Sequence, residues 1–372
     1  MFASMSGKRK ILVSLVGLIL LLLVYLFTWP TPIDPEAYQP PEPPSLDGPT
    51  KPNEVLKKAD LALLGQIQGP EDVAIGPDGM IYAGLLDGRI IRFAYDGEGS
   101  SPEDFANTEG RPLGLAFGPE GALYVADGIK GLLKIANGNT EVLSTGANGV
   151  PFKFTDHLDV ASDGSVYFSD ASDQYGVGEY LYDLLEAKPH GRLLKYDPVQ
   201  EKTIVLQDDL YFANGVALSD DESYLLINET YRYRVSKYWL KGPRANTMEV
   251  LIENLPGFPD NIARSSKGTF WLCLFTVRNP VMDSLHPSPF MKNIVARLPK
   301  FLWPKPKPYG FVLEIDGDGQ ILRSLQDSTG EHLKEITGAK DNGKHLFMGS
   351  LHNDRIGVFD LGNLEGSHWA ED

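Results

Sequence analysis

The sequence predicts an all-β protein, a six-bladed β-propeller that follows an N-terminal transmembrane helix. Two observations predict this fold. A unit of two alternating strands joined by a tight turn recurs six times within residues 71–361. The 38 glycines and 27 prolines favour turns and short strands over long helices. Antiparallel hairpins repeated in series are typical of propeller blades.

The first 53 residues divide into three segments. Residues 1–10 form a basic tail with Lys8, Arg9 and Lys10, and residues 11–29 form an uncharged anchor that would span roughly 28 Å as a helix. Because no A-x-A cleavage site follows, we expect an uncleaved signal anchor rather than a cleaved signal peptide. The basic flank predicts a cytoplasmic N-terminus and a propeller on the non-cytosolic side. Residues 30–53 are Pro-rich and predict a stiff linker that lifts the domain off the bilayer.

The remaining residues, 54–372, are assigned to the propeller. The repeat is clearest in EDVAIGPDGMIYAG and GLAFGPEGALYVAD. The six copies begin at Glu71, Gly114, His157, Asn214, Asp260 and Glu335. The wider gaps between copies hold two insertions, residues 172–190 and residues 277–309, and the second has a partly helical pattern.

Oxygen-bearing side chains recur at one position of the repeat, just before the first strand of each blade. The residues at this position are Glu71, Leu113, Asp156, Asn214, Asp260 and Glu335. Because the first strand of a blade lines the central channel, they predict a ring at one channel end. Five such groups would repel one another if buried, and a hard cation such as Ca²⁺ would relieve that repulsion. The alternative is that the acids are solvated or cap backbone N–H groups.

Composition limits the choice of partners. The net charge of −16 argues against nucleic acid as a partner, and it suits cations, neutral substrates or simple solubility. Cys273 is the only cysteine, so no intrachain disulfide can form. Its apolar surroundings, WLCLF, indicate packing rather than a nucleophile. No G-x-S-x-G sequence occurs, so a serine-hydrolase elbow is not indicated.

Five stretches resemble the strictosidine synthase-like family and, within it, the adipocyte plasma membrane-associated proteins. They are GPEDVAIGPDG, GRPLGLAFGPEGALYVAD, PHGRLLKYDP, FANGVALSDDESYLL and PGFPDNIARSSKGTFW. The chain is more distantly similar to paraoxonases and to the senescence marker protein/gluconolactonase group. The resemblance implies one channel Ca²⁺ bound by Glu71, Asn214, Asp260 and Asn261. It also implies a ligand at Asp156, where those relatives have asparagine; the added charge should tighten cation binding and make the metal a weaker Lewis acid.

The leading functional hypothesis is a Ca²⁺-dependent hydrolase of small hydrophobic esters or lactones, similar to an arylesterase or lactonase. The metal would polarise the carbonyl, and Asp260 or Glu71 would deprotonate an attacking water. His157 is an alternative base, and it is equally a packing residue beside the metal. A paraoxonase-type His dyad is not expected, because Leu113 occupies one of its positions.

Two other function classes remain open. A non-enzymatic binding module would use calcium only to brace the channel. An amine–aldehyde condensing enzyme of the strictosidine synthase type would need a catalytic glutamate in the last blade, near which Glu335 or Glu331 could stand.

Two further segments carry hypotheses. The insertion 277–309 mixes apolar and basic residues, which suits a lid or a surface on anionic lipid, and equally a helix packed on the propeller rim. If it meets the membrane, hydrophobic substrates could enter from the bilayer. Asn228-Glu229-Thr230 matches a glycosylation sequon, a triplet that is common by chance.

Overall fold

A six-bladed β-propeller preceded by an apolar helix is the architecture of the computed structural model, which describes residues 7–97 and 101–364. This confirms the predicted fold class. Residues 1–6 of the predicted basic tail and residues 365–372 of the predicted domain lie outside the described residues. Helix α1 (Gly7–Thr28) is exposed, and it is long and apolar enough to cross a membrane.

Each blade is a four-stranded antiparallel sheet. The strands in chain order are β1 (Asp60–Ala62); β2 (Val73–Ile75), β3 (Ile81–Gly84), β4 (Arg89–Phe93) and β5 (Glu103–Asn107) of blade 1; β6 (Pro112–Phe117), β7 (Leu123–Asp127), β8 (Gly131–Ala136) and β9 (Asn139–Ser144) of blade 2; a hairpin of β10 (Gly146–Ala147) and β11 (Val150–Pro151); β12 (Thr155–Val160), β13 (Val166–Asp170), β14 (Gly191–Asp197) and β15 (Lys202–Leu210) of blade 3; β16 (Ala213–Leu218), β17 (Tyr224–Glu229), β18 (Arg234–Trp239) and β19 (Met248–Ile252) of blade 4; β20 (Gly257–Arg264), β21 (Phe270–Val277), β22 (Gly310–Ile315) and β23 (Ile321–Asp327) of blade 5; and β24 (Ile336–Asp341), β25 (His345–Ser350) and β26 (Ile356–Asp360) of blade 6.

The propeller closes by pairing its two ends. Strand β1 supplies the fourth strand of blade 6 by pairing antiparallel with β26, with Asp60 opposite Val358. The predicted repeat region, residues 71–361, therefore lacks one strand, although that strand lies within the predicted domain 54–372. A three-residue strand far from its partner in sequence leaves no repeat signal. Its pairing removes two open sheet edges without a disulfide.

A β-bulge recurs at the channel end of the innermost strand in five blades. The register shifts fall between Pro112 and Gly114, Thr155 and Leu158, Ala213 and Val216, Pro259 and Ile262, and Ile336 and Ala339. A bulge places two residues opposite one and re-aims their side chains. Neighbouring blades pack closely there, since a Cβ on Gly215 would lie 2.4 Å from the Ile262 amide nitrogen.

Three short helices cover one face of the propeller. They are α2 (Tyr180–Glu186) in the first insertion, and α3 (Pro280–Leu285) and α4 (Pro289–Arg297) in the second, which is partly helical as predicted. We call the two insertions, residues 172–190 and 277–309, the cap. The halves of the cap contact each other through the rings of Tyr182 and Trp303, whose centroids are 5.4 Å apart. Trp303 also belongs to the same hydrophobic core as Leu113 at the channel end.

The Pro-rich segment, residues 30–53, lies against the cap and blade 5. We call it the strap. The Glu36 amide donates to the Glu186 carbonyl at 2.9 Å, and the Tyr38 amide donates to the His286 carbonyl at 3.0 Å. Further along, the Gln326 side chain on β23 donates to the Thr50 carbonyl at 3.0 Å. The segment was expected to act as a stiff spacer that lifts the domain off the bilayer, whereas these contacts hold it on the domain.

Buried cations hold the strap because an extended Pro-rich backbone makes few hydrogen bonds of its own. The Lys292 ammonium donates to the Glu36 carbonyl at 2.6 Å, and the Arg278 guanidinium donates to the Pro41 carbonyl at 2.7 Å. Both side chains are buried. Burial, with the nearby Arg232 charge, lowers the pKa of Lys292 to about 8.

Replacing Arg278 with alanine is expected to lower the free energy of unfolding by about 3 kcal/mol, the cost typical of breaking a buried ion pair. The change removes an ion pair of 3.0 Å to Asp283, a bond of 2.6 Å to Asn254 and the bond to the strap. Thermal unfolding of the full chain in detergent checks this. Arg264→Ala, which removes an exposed pair to Asp220, is the control and should change stability little. Equal effects of both changes would contradict a holding role for Arg278.

Candidate metal centre at the channel end

The ring residues are buried together at the cap end of the channel. Each is less than a tenth exposed, and they are Glu71, Leu113, Asp156, Asn214, Asp260, Asn261 and Glu335. The Asn261 amide reaches the two carboxylate oxygens of Glu71 at 3.4 and 3.5 Å. The cap lies near this end, because Leu113 shares one hydrophobic core with Met282 and Trp303 of the cap.

Burial and neighbouring carboxylates disfavour the ionised form of three carboxyl groups of the ring. Burial, followed by the carboxylates of Asp260 and Asp156, raises the pKa of Glu71 well above its ordinary value. Burial and then Asp260 do the same to the pKa of Asp156. Burial raises the pKa of Asp260 to about 8, against a hydrogen bond from Asn214 that lowers it. A cluster of this kind either holds protons or binds a cation.

The oxygen atoms of the ring are of the types that calcium binds. The side-chain oxygens of Asn214 and Asn261 are buried and have no hydrogen-bond partner. Buried acceptors without partners are costly, and Ca²⁺ takes about 6–8 oxygen ligands of the carboxylate, amide and water types. Within residues 7–97 and 101–364, no three His, Cys, Asp or Glu side chains converge as a metal-ligating group. A cation here would therefore need the side-chain oxygens of Asn214 and Asn261 in addition to carboxylates. That combination of ligands fits calcium.

Arg111 is a charged residue at this site that was not predicted from the sequence. Its side chain is buried and donates to the Gly69 carbonyl at 3.1 Å. Burial lowers the pKa of Arg111, whereas the nearby carboxylates of Glu71 and Asp127 raise it. The guanidinium offsets part of the ring's negative charge. An arginine stands two residues before the ring position in one repeat only. Aligning the repeats therefore does not single it out.

His157 bridges blades rather than facing the channel as a free base. Its Nδ1 accepts a hydrogen bond of 3.0 Å from the Val216 amide, and its Nε2 lies 3.6 Å from Asp72. Asp72 in turn accepts from the Leu115 amide at 3.0 Å. Although burial opposes it, the His157 contact and the Lys340 charge hold the pKa of Asp72 below its usual range. These contacts favour the packing interpretation of His157 over the catalytic one.

Glu335 is in the ring but has a partner of its own. Its carboxylate lies 2.8 Å from Nδ1 of His352, a half-exposed histidine on the loop after β25. Glu335 also has a positive φ of 51°, which is uncommon for a residue with a side chain. It therefore differs from the other carboxylates of the ring, and His352 was not foreseen because its loop lies outside the repeat.

The predicted glycosylation triplet holds the ring in place. Asn228 is fully buried, and its side-chain amide donates to the Asp260 carbonyl. Thr230 donates to the Pro259 carbonyl at 2.7 Å. Asn228 is therefore not a glycan acceptor in the folded protein. Cys273, also fully buried, is a packing residue as predicted, and burial raises the pKa of its thiol.

Comparisons with known proteins give consistent matches. The strictosidine synthase family model matches residues 156–243, and the strictosidine synthase-like N-terminal model matches residues 48–93. Protein STRICTOSIDINE SYNTHASE-LIKE 6 of Arabidopsis thaliana is 39% identical over 312 residues, which cover 82% of each chain. The adipocyte plasma membrane-associated protein of Salmo salar is 36% identical over 386 residues, covering 96% of this chain and 92% of the relative.

Among solved structures, similar folds occur in proteins of the gluconolactonase and regucalcin type. A gluconolactonase from Xanthomonas campestris has a TM-score of 0.59 at 17% identity, covering 90% of this chain and 99% of that one. A calcium-binding regucalcin from Agrobacterium tumefaciens has a TM-score of 0.54 at 13% identity, covering 83% and 93%. At these identities the likeness is one of fold.

Proposed function

The chain belongs to the strictosidine synthase-like family, and from that membership we propose that it is a membrane-anchored, Ca²⁺-dependent hydrolase of small hydrophobic esters or lactones. One observation carries the proposal. Three carboxyl groups with raised pKa and two amide oxygens without partners are buried together at the channel end. The shared fold with a gluconolactonase and a calcium-binding regucalcin supports it.

Five residues would hold the ion. They are Glu71, Asp156, Asn214, Asp260 and Asn261. When bound, Ca²⁺ would supply electrostatic stabilisation for negative charge on the carbonyl oxygen of a substrate.

Proton transfer falls to the carboxylates of Asp260 and Glu71. A base works best when its pKa lies near the working pH, and the pKa of Asp260 is raised to about 8. The pKa of Glu71 is also raised, mainly by burial. Without a metal, both groups hold a proton more readily than an exposed carboxyl does, and a bound cation would favour the ionised form that a base needs. His157 is the weaker candidate, since Nδ1 already accepts from the Val216 amide.

The walls of the site favour an uncharged, apolar substrate. Leu113 is the apolar gap in the ring, and it packs in one core with Met282 and Trp303 of the cap. The ring's carboxylates would repel an anionic substrate. Small hydrophobic esters and lactones combine an apolar body with a carbonyl oxygen, the atom that a cation at the ring would attract.

Membrane anchoring is part of this proposal. Helix α1 satisfies the length and composition needed to cross a bilayer, and several relatives are named as plasma membrane-associated proteins. Lys8, Arg9 and Lys10 precede the apolar run, so we place the N-terminus in the cytoplasm and the propeller on the non-cytosolic side.

A non-enzymatic binding module with a structural calcium is the second candidate. The observation that favours it is burial, because every ring side chain is less than a tenth exposed. The amine–aldehyde condensing enzyme is less favoured, since the Glu335 carboxylate is already paired with His352.

A chelation assay separates these functions. The full chain in detergent micelles is assayed on phenyl acetate and simple lactones, before and after EDTA and again after added Ca²⁺. We expect turnover that EDTA abolishes and Ca²⁺ restores. Bound calcium with no chelator-sensitive turnover would favour the binding module, and product formed only from an amine and an aldehyde together would favour the condensing enzyme. Asn214→Ala should lose both calcium and turnover; loss of stability alone would again indicate a module.

A further inference from the structure

The second insertion exposes several large apolar side chains although it also packs into the core. Met282, Val295 and Trp303 are buried in it. The exposed set is Val281, Phe290, Met291, Phe301 and Leu302, and Phe301 is 71% exposed. These five residues, called here the contact surface, all lie within 22 residues of chain, from 281 to 302. Soluble surfaces seldom carry so many large apolar groups together unless they meet another apolar phase.

Helix α1 ends against this same insertion. The ring of Phe27 stacks on that of Phe290, with centroids 5.8 Å apart and planes 17° apart. Beyond the helix end, the Thr31 hydroxyl lies 2.6 Å from the Asn293 side-chain oxygen on α4. The contact surface therefore meets the end of the helix that would cross the membrane at Phe290.

Arg297 fixes α4 to the end of α1. Its guanidinium donates to the Leu26 carbonyl at 2.9 Å and to the Trp29 carbonyl at 2.5 Å. The Tyr25 hydroxyl returns a bond of 3.0 Å to the Arg297 carbonyl. The last carbonyls of a helix have no partners within the helix, and here a cation satisfies carbonyls at and just past that end. Tyr and Trp near a helix end are typical of the membrane–water interface.

We infer that the contact surface lies in the interfacial layer of the bilayer that α1 crosses, as a second membrane attachment. Residues 25–29 would stand at the interface, and Phe290, packed on Phe27, must share that depth. Exposed Phe301 and Leu302 would then rest among the headgroups and upper acyl chains, as the apolar face of an interfacial helix does. The inference rests on the membrane anchoring proposed above, and it does not depend on hydrolysis.

One consequence concerns access to the ring. The contact surface belongs to the same half of the cap as Trp303, which packs on Tyr182 of the other half. Trp303 also shares one hydrophobic core with Leu113 at the channel end. The half of the cap that would meet the bilayer therefore also borders the ring, where a lipid-soluble substrate would bind.

A depth measurement tests the inference. The full chain is placed in lipid nanodiscs with a polarity-sensitive fluorophore on Phe301→Cys, and lipids carry a quencher near the headgroup. The matched control is Val199→Cys, which is 91% exposed and lies in a turn of blade 3. The wild type is the labelling blank, since its single cysteine is buried. We expect blue-shifted emission and several-fold stronger quenching at position 301 than at 199. Equal quenching at both positions would overturn the inference.

A second variant tests the membrane contact without a fluorophore on the contact surface. Phe301→Glu combined with Leu302→Glu changes only exposed side chains, and Val199→Glu is its control. In nanodiscs, amide hydrogen exchange of residues 298–303 should rise several-fold in the double variant and stay unchanged in the control. In detergent, these residues should exchange alike in the double variant and the wild type. Exchange that is equal in nanodiscs would contradict a membrane contact, whereas absence of phenyl acetate turnover in the wild type would contradict only the proposed function.

Discussion

Replacing Asp260 with alanine is expected to lower the affinity for calcium, and the turnover of phenyl acetate, by at least about 100-fold. Loss of residues that only support a metal ligand typically costs about 10–100-fold, and a carboxylate ligand should cost more. Asp260 is also the ring member that most strongly raises the pKa of Asp156 after burial, so it stands near the centre of the charge cluster. Calcium titration and initial-rate measurements on the full chain check both effects.

Two matched variants sharpen this result. Asp208→Ala removes an exposed aspartate of blade 3 and should change neither the calcium affinity nor the turnover of phenyl acetate. Asp156→Asn replaces a carboxylate of the ring with an amide, so it should weaken calcium binding while turnover at saturating calcium rises. If Asp260→Ala retained calcium affinity, the ring would not be the metal centre; if it lost affinity while wild-type turnover was absent, only the hydrolase proposal would fail.

Calcium should stabilise the protein much more at about pH 8 than at about pH 5. The pKa of Asp260 rises from 3.8 to about 8 on folding without metal. The stability that this group contributes is fully present below its unfolded pKa, and it is lost as the pH rises through about 8. Deprotonated carboxylates then repel one another, and a bound cation relieves the repulsion. At about a hundredfold excess over the dissociation constant, a ligand adds about 2.7 kcal/mol.

The measurement is thermal unfolding of the full chain with calcium or EDTA across this pH range. Calorimetric titration in two buffers of different ionisation enthalpy should show proton release on calcium binding, and Asp260→Ala should release fewer protons. A calcium effect that is the same at both pH values would show that the ring carboxylates are ionised without metal. Magnesium, which binds large oxygen-rich sites poorly, is the control ion.

The propeller could be predicted because its signal is local and repeated. Each hairpin carries its own alternation and turn, so six weak matches in phase support one another. Strand β1 and the strap left no such signal. Strand β1 is three residues long and pairs with a strand almost 300 residues away, Asp60 with Val358. The strap is held by side chains such as Arg278 that bind backbone carbonyls, and every residue offers a carbonyl.

The ring positions could be predicted for the same reason, because they recur at one place in the repeat. The roles of the residues there could not. Whether His157 bridges blades or acts as a base depends on the Val216 amide of the next blade. The pairing of Glu335 with His352, and the charge of Arg111 beside the ring, arise from loops that differ between blades. The sequon predicts a glycan on Asn228, but the side chain of Asn228 instead supports the backbone of Asp260.

The strap has a consequence for proteolytic release of the propeller from the proposed membrane anchor. Proteases cut extended, unprotected backbone, and a free Pro-rich stalk would be a ready place for shedding. Here the backbone around Glu36 and Tyr38 is hydrogen-bonded to the cap. Cutting it first requires this stretch to detach locally, which costs the bonds of Lys292 and Arg278. The propeller should therefore stay joined to its anchor, with little soluble fragment formed by proteases.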